Sequence, residues 1–159
     1  MSTPLNPWQK RYPLHFAILN QRVEKLGELL KALDPRSSVN ELDDDSMTPL
    51  MYAVFLIPST ETLVIVGMLI KYEGIDLNVK DAFGNTALHH AVANNNLQAI
   101  EQLLNAPGID IAIKNDEHET PYQHAVREKM TGIIEIFKKT STTRRNGLFA
   151  EGFQEELKF

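Results

Sequence analysis

The sequence predicts an all-α fold, a solenoid of stacked helix-turn-helix units with short β-turn fingers between them. The first observation is a six-residue phrase that occurs four times, with starts 36, 38 and 34 residues apart. A fixed period in this range is typical of repeat architectures, in which each unit contacts mainly its neighbours. The second observation is an apolar pair that follows each phrase at nearly constant spacing. The phrases are residues 12–17 (YPLHFA), 48–53 (TPLMYA), 86–91 (TALHHA) and 120–125 (TPYQHA).

Each phrase has the features of a helix start. Thr48, Thr86 and Thr120 are residues that cap a free amide of the first helical turn. A proline directly after the threonine costs no hydrogen bond, because the first amides of a helix are unpaired in any case. We therefore expect the first helix of each unit to begin here. The second helix is marked by the apolar pairs Leu29-Leu30, Leu69-Ile70, Leu103-Leu104 and Ile136-Phe137.

The connections between units combine a turn with a short alternating segment, as in residues 74–81 (GIDLNVKD) and 108–115 (GIDIAIKN). Together with the phrase and the apolar pair, they resemble the ankyrin-repeat family, whose pattern reads Asp-x-x-Gly-x-Thr-Pro-Leu-His-x-Ala. The resemblance covers roughly residues 8 to 139 and implies a non-catalytic module that binds a protein partner. Repeat three matches best, through Asp81, Gly84, Thr86, Leu88, His89, Ala91, Leu103 and Leu104.

The resemblance divides the chain into a Pro-rich lead-in or cap (1–11), four repeats (12–42, 43–80, 81–114 and 115–139), and a linker with an amphipathic tail (140–159). Ser46 and His118 stand at the glycine position of the family pattern, and Asn115 replaces its aspartate. Tyr12 replaces the threonine of the first repeat. The departures in repeats one and four are expected at the ends of a solenoid, because terminal repeats face water on one side.

Repeat two has a longer connection between its helices than repeat three. The distance from the threonine of the phrase to the apolar pair is 21 positions in repeat two and 17 positions in repeat three. We expect a tolerated loop in which Pro58 ends one helix and Ser59 or Thr60 caps the next, the alternative being a contact loop. In repeat three, residues 94–96 (NNN) stand where the family has glycine, and asparagine suits a left-handed backbone.

Composition excludes several functional classes. The 159-residue chain has no cysteine, which removes disulfides, thiolate nucleophiles and cysteine-based zinc sites. Its net charge of −5 disfavours nucleic acid as a ligand. No run of about 18 apolar residues predicts a membrane span, and the first residues lack the pattern of a secretory signal. We expect a single-domain monomer in the cytoplasm.

No motif predicts a catalytic residue, a cofactor or a metal site. The sequence has neither a phosphate-binding glycine loop nor the histidine spacing of a zinc motif. His15 and His89 occupy the family's histidine position, which implies a hydrogen bond to the turn of the neighbouring repeat. His90 and His124 are expected to line the inner face.

The resemblance implies that a partner docks on the turn tips and on the exposed side of the first helices. The residues of this sequence at the family's docking positions include large apolar side chains and acidic side chains. Large apolar side chains are typical binding anchors, and acidic side chains steer a basic partner. We expect a protein partner with a basic and apolar contact surface; an inhibitor that covers an enzyme such as a kinase is the alternative. The residues are Trp8, Asp44, Asp45, Met47, Tyr52, Phe55, Leu56, Phe83, Asn85, His90, Asn94, Asp116, Glu117, Glu119, His124 and Arg127.

Two features leave alternatives open. In the tail, Phe149, Phe153 and Leu157 are four residues apart and form one helical stripe. The tail is a terminal cap, a partner-binding helix, or a C-terminal export signal similar to those of bacterial type IV secretion substrates. In the last case the protein would be a bacterial effector delivered into a host cell. Asn78 either stabilises a turn or lies in a context that resembles hydroxylated ankyrin asparagines, and Trp8 either contacts a partner or caps the first repeat.

Overall fold

The computed structural model describes residues 6–33 and 38–145, and the part of the chain that it describes is helical with no strands. The helices come in pairs, as the repeated phrases predict. Their bounds are α1 (Pro7–Arg11), α2 (Pro13–Leu19), α3 (Val23–Lys31), α4 (Pro49–Phe55), α5 (Thr60–Ile70), α6 (Ala87–Ala93), α7 (Leu97–Asn105), α8 (Pro121–Arg127) and α9 (Thr131–Arg145).

The helices stack in two layers. The inner helices α2, α4, α6 and α8 contact one another in sequence, and so do the outer helices α3, α5, α7 and α9. The core is a strip between the layers, built from residues such as Ile18, Leu50, Leu88 and Leu103, each of which is fully buried. The predicted all-α solenoid is confirmed. Its two-layer arrangement leaves the inner helices with one open side.

Local capping explains where the inner helices begin. The hydroxyl oxygens of Thr48 and Thr120 accept hydrogen bonds from the amides of Met51 and Gln123, both at 3.2 Å. In the longer connection of repeat two, Ser59 caps α5 by accepting from the amide of Thr62 at 3.2 Å. These contacts confirm the helix starts that the threonines and Ser59 predict.

Left-handed residues reverse the chain between the helices of a pair. Gln21, Asn95 and Lys129 have φ values of 50°, 52° and 56° at equivalent positions of repeats one, three and four. Asn96 then caps α7, because its Oδ1 accepts from Ala99 N at 3.1 Å while its Nδ2 donates to Val54 O at 3.1 Å. The structural role expected for the asparagine run is confirmed.

Two asparagines link consecutive repeats. Asn40 donates from Nδ2 to Gly74 O and accepts on Oδ1 from Asp76 N, both at 2.8 Å. Asn78 repeats this arrangement one unit later, with Gly108 O at 2.8 Å and Asp110 N at 2.9 Å. Both polar atoms of the Asn78 side chain therefore stabilise the turn of the following repeat.

Helical structure extends outside the predicted repeat bounds at both ends of the solenoid. Residues 7–11 of the lead-in form α1, which Asn6 caps by accepting from Gln9 N at 2.8 Å. Residues 140–145 of the expected linker continue α9, which does not end near Lys139. The hydroxyls of Thr140 and Ser141 donate to the carbonyls of Ile136 and Lys138, so these residues are compatible with a helix. The tail stripe of Phe149, Phe153 and Leu157 lies outside the described residues.

Candidate protein-binding surface

The connections before α4, α6 and α8 end in compact turns, which we call the fingers (residues 43–47, 81–85 and 115–119). In each finger the amide of the first residue donates to the carbonyl of the fifth, at 3.1, 2.9 and 3.0 Å. The side-chain oxygen of the first residue also accepts two amides of its own finger. For Asp81 the donors are Phe83 N and Asn85 N, both at 2.8 Å. Each finger is therefore closed by three hydrogen bonds of its own, which define the position of its tip.

The fourth position of each finger has a left-handed backbone. Ser46, Gly84 and His118 have φ values of 60°, 74° and 62°. This explains why the family pattern has glycine there, and it shows that the serine and the histidine of this chain adopt the same turn. The fingers of repeats two and four thus keep the geometry of repeat three.

In two repeats an inner-helix side chain holds the second oxygen of the finger aspartate. The hydroxyl of Tyr52 donates to Asp43 Oδ2 at 2.7 Å, and His90 Nε2 donates to Asp81 Oδ2 at 2.8 Å. Burial, and then the hydrogen bond to the carboxylate, raise the pKa of Tyr52. Burial acts to raise the pKa of Asp81, but the two backbone amides and His90 together hold it below its ordinary value. Tyr52 and His90 are therefore half-buried parts of the surface that also stabilise the fingers.

His15 and His89 bridge neighbouring repeats. Their Nε2 atoms donate to Met47 O at 2.9 Å and to Glu119 O at 3.1 Å, which confirms the expected bond to the next turn. Both rings are buried, and burial lowers the pKa of each histidine despite the hydrogen bond to the carbonyl. These two histidines are structural, and they are withdrawn from the surface that a partner would meet.

Comparisons with known proteins agree with this geometry. The profile of the family described as ankyrin repeats (3 copies) matches residues 56–145, more than half of the chain. The chain belongs to the ankyrin-repeat family. A protein named as a putative ankyrin repeat protein of Acanthamoeba polyphaga mimivirus is 39% identical over 61 residues, which are 38% of this chain and 8% of the viral protein. The chain therefore matches only a small part of the length of that relative.

Ankyrin repeats generally mediate protein–protein interaction and are generally non-catalytic. In this ankyrin solenoid, the fingers and the open side of the inner helices form one continuous side, which we call the concave surface. Within the described residues, no group of three histidine or acidic side chains is arranged to hold a metal ion. No helix of that part is long and apolar enough to span a membrane.

Exposure divides the predicted binding residues into two groups. Phe83 at the tip of the second ankyrin finger is 72% exposed, and Phe55 at the end of α4 is 58% exposed. Met47 and Leu56 are half-buried and pack against the core, so they do not join the two phenylalanines in an exposed cluster. The finger tips carry the acidic side chains Asp44, Asp45, Asp116 and Glu117. Within the part of the chain that the structure describes, Asp44 pairs with Arg11 and Glu117 pairs with Arg127.

Trp8 packs inside the first repeat. Its ring centroid lies 5.7 Å from that of Tyr12 and 6.4 Å from that of His15, and the side chain is half-buried. Tyr12 donates its hydroxyl to Asp44 Oδ1 at 2.9 Å, a contact to the finger of repeat two that the sequence pattern does not reveal. Arg11 lies 3.5 Å from the same carboxylate. Asp44 is therefore partly neutralised at this end of the concave surface.

Repeat four replaces the aspartate contact with an ion-pair network. Because Asn115 has no charge, His124 has no carboxylate at the first finger position to bind. Its Nδ1 accepts from Arg127 Nη2 at 3.0 Å and lies 3.6 Å from Glu119 Oε2. Arg127 Nε lies 2.9 Å from Glu119 Oε1, and its other nitrogens lie 3.7 Å from Glu117 and 3.4 Å from Glu128. One arginine thus faces three carboxylates, and this end of the surface stays acidic.

A small polar pocket lies between the third and fourth repeats. It has a volume of about 160 Å³, enough for the end of one side chain, and it is lined by several residues of the predicted set. Asn85 and Asn115 join its two sides through a 2.9 Å hydrogen bond between their side chains. Asn94, at the end of α6, is exposed nearby and donates to His90 O at 2.8 Å. The lining includes Asn85, His89, His90, Asn115, Glu117 and His124.

Sequence reasoning missed the most exposed large apolar side chain described. Ile57 is 83% exposed and lies in the extended connection between α4 and α5. The signal that could have found it was the four-residue excess in repeat two, because an inserted loop has no neighbouring loop of equal length to cover it. Ile57 and Phe55 place apolar area at the edge of the surface opposite the fingers.

We expect the free energy of unfolding to fall as pH is lowered from 7 to 5.5, through His15 and His89. Their folded-state pKa values lie below the ordinary value, so the unfolded chain binds more protons in this range. The stabilisation that comes from keeping these histidines neutral is fully present above the histidine pKa of the unfolded chain, and it is lost as pH falls below that pKa. Each extra proton bound by the unfolded chain changes the free energy of unfolding by about 1.4 kcal/mol per pH unit.

Urea unfolding at several pH values would measure this loss. The double variant His15→Gln with His89→Gln keeps a donor for each carbonyl and should show a shallower decline. His118 is exposed, so His118→Gln is the matched control and should leave the decline unchanged. If the free energy of unfolding fell with pH equally steeply in the double variant and the parent, His15 and His89 would not be the cause of the decline.

Proposed function

We propose that the protein binds a segment of a protein partner through its concave surface, and that this partner offers basic and apolar side chains. The observation that carries the proposal is Phe83. This large apolar side chain is 72% exposed, yet its backbone is bonded on both sides. Its amide donates to Asp81 Oδ1 at 2.8 Å, and its carbonyl accepts from Asp116 N at 3.0 Å.

An exposed aromatic side chain on a hydrogen-bonded backbone is the kind of residue that acts as a binding anchor, because little backbone entropy is lost when it is covered. Asp116 is its direct neighbour, and Asp44, Asp45 and Glu117 place further acid on the finger tips. Acid around an apolar anchor favours an apolar segment flanked by lysine or arginine and raises its association rate. The net charge of −5 has the same sign.

The test is capture from a eukaryotic cell lysate with quantitative mass spectrometry, followed by affinity measurement with the captured partner. Phe83→Ala should weaken binding about 30-fold, the effect of losing roughly 2 kcal/mol at a hot spot. Leu97→Ala is the matched control, because Leu97 is an exposed apolar residue at the start of the outer helix α7. Equal affinity for Phe83→Ala and the parent would overturn the proposal.

Charge is tested separately from the aromatic anchor. Asp116→Lys should lower the association rate and make it less sensitive to salt, with a smaller effect on dissociation. The same capture experiment also distinguishes two more specific roles, an enzyme inhibitor and an exported effector. An inhibitor would change the activity of a captured enzyme at saturation, and an exported effector would capture a host protein from the lysate of its host.

A further inference from the structure

The polar pocket between repeats three and four coincides with one departure from the repeat pattern. In repeats two and three the first finger residue is an aspartate whose second oxygen accepts from the inner helix, as Asp81 Oδ2 does from His90. In repeat four Asn115 takes that position, and its Oδ1 accepts from two backbone amides of its own finger, both at 3.1 Å. The remaining atom, Nδ2, is a donor and bonds Asn85 Oδ1 at 2.9 Å. The finger therefore offers His124 no second acceptor.

Two donors on residues that line the pocket are left without an acceptor. Arginine can only donate, so His124 Nδ1, which lies 3.0 Å from Arg127 Nη2, is an acceptor, and the proton of the neutral ring is on Nε2. This Nε2 has no hydrogen-bond partner among the described residues. The same holds for Asn85 Nδ2, because the bond from Asn115 uses the oxygen of that side chain.

Two acceptors also belong to the lining of the pocket. His90 donates from Nε2 to Asp81, so Nδ1 of the neutral ring carries a lone pair, and it has no partner in the part of the chain that the structure describes. The carboxylate of Glu117 is the second acceptor; its side chain is 69% exposed and lies 3.7 Å from Arg127 Nη2. The pocket thus presents two donors and two acceptors to a ligand.

Charge decides which ligand group fits this set. The carboxylates of Asp81, Glu117 and Glu119 surround the pocket and face one arginine, so an anion is repelled. An ammonium or guanidinium group is attracted, but it has donors only and would leave His124 Nε2 and Asn85 Nδ2 unpaired, which is costly. A primary carboxamide is neutral and has two N–H donors and an oxygen with two lone pairs, so it satisfies all four groups.

We propose that this pocket takes the side-chain carboxamide of a glutamine or asparagine in the partner segment. The inference rests on the proposed function for the source of that group. A volume of about 160 Å³ has room for it. Phe83 and Asn85 belong to one finger, and the bond from Asp116 N to Phe83 O joins this finger to the next one. A segment whose apolar residue covers Phe83 therefore passes beside the pocket.

The pocket can be tested without the partner. Four probes of similar size are titrated into the full chain: propionamide, its isomer N-methylacetamide as a stand-in for a main-chain peptide group, propionate and propylammonium. Binding is followed by the NMR shifts of the side-chain amides of Asn85 and Asn115. Propionamide should bind about tenfold more tightly than each of the other three, because each of them leaves a polar group unpaired or repelled. Equal or tighter binding of another probe, or no saturable shift with propionamide, would overturn the proposal.

Two variants remove the site while keeping the fold. Asn115→Asp restores the aspartate of the other fingers, whose second oxygen takes the free donors, and should weaken propionamide binding about tenfold. Ala93→Leu should weaken it similarly, because Ala93 is exposed and lines the pocket. Asn105→Asp is the matched control, since it makes the same charge change at an exposed position of α7 and should leave binding unchanged. Equal effects of Asn115→Asp and Asn105→Asp would contradict the assignment.

The captured partner gives a second test with an opposite sign for charge alone. A new carboxylate at position 115 would strengthen the binding of a basic segment if only charge mattered. We expect Asn115→Asp to weaken partner binding about tenfold instead, because the donors for the carboxamide are lost. Unchanged or tighter binding would overturn this inference. The result for Phe83→Ala decides the proposed function separately, so failure of the one is distinguished from failure of the other.

Discussion

Replacing Phe137 by alanine is expected to lower the free energy of unfolding by about 3–5 kcal/mol. Phe137 is among the largest fully buried side chains described, at 1% exposure. Its ring meets that of Tyr122 nearly edge-on, with centroids 5.5 Å apart, and so joins α9 to α8. Truncation leaves a cavity and removes this aromatic contact. Because a typical domain is stable by only about 5–15 kcal/mol, the loss is a large share of the total.

The loss should be unevenly distributed along the chain. Each repeat of a solenoid is held mainly by its neighbours, and repeat four has no described repeat beyond it. We therefore expect amide hydrogen exchange in α8 and α9 to accelerate more than in α4 and α5. Urea unfolding gives the size of the loss, and Ile136→Ala, at the adjacent half-buried position, should cost less than half as much. A uniform rise in exchange across all repeats would contradict this expectation.

The stacked repeats could be predicted because their signals are local and occur four times. A threonine, a proline and an apolar face specify the start of an inner helix without reference to distant residues. The asparagine at the turn before α7 is a signal of the same kind, since its left-handed φ of 52° is a property of one residue. Because the four copies agree, the order of the helices along the chain could be predicted as well.

The two ends of the solenoid were harder to predict than the repeats, because each end pattern occurs only once in the sequence. Within the Pro-rich lead-in, Asn6 and Gln9 form a capping box that starts α1, and Pro7 is its first residue. Thr140 and Ser141 suggested a linker by composition. They are buried, and their hydroxyls bind carbonyls one turn earlier, which is a tertiary outcome that composition does not show.

The candidate surface was predictable by position but not by exposure. Position in the repeat places Met47, Phe55 and Phe83 on the same side of the solenoid, yet only neighbouring helices decide how much of each is covered. Met47 packs against the core, whereas Phe83 stays open at a finger tip. The partners of Tyr52 and His90 likewise depend on the finger reaching back over its own helix.

Replacing Gly84 by alanine is expected to lower the free energy of unfolding by about 2–5 kcal/mol, from left-handed strain together with overpacking. Gly84 has a φ of 74° and is buried against the next finger. A Cβ atom there would lie 2.7 Å from Asp116 Oδ1, 3.0 Å from Asp116 N and 3.1 Å from Asn115 Cα. The side chain of Asp116 can rotate away, but the two backbone atoms move only if the fingers separate.

Two other glycines isolate the effect of that close approach. Gly74 and Gly108 have φ values of 83° and 81°, but a Cβ atom at either would meet nothing within 4 Å. Gly74→Ala and Gly108→Ala should therefore cost only the left-handed strain, about 1–2 kcal/mol each. Equal losses for all three variants in urea unfolding would show that finger contact is not what makes glycine necessary at position 84.

The same substitution connects the stability of the fingers to binding. Separating the fingers would break the hydrogen bond from Asp116 N to Phe83 O, which holds the backbone that carries the exposed ring. Gly84→Ala should then weaken partner binding even at temperatures where the protein stays folded, although position 84 is itself buried and touches no partner. Gly108→Ala, outside the fingers, should leave affinity unchanged. Unchanged affinity for Gly84→Ala would mean that Phe83 binds without a fixed position.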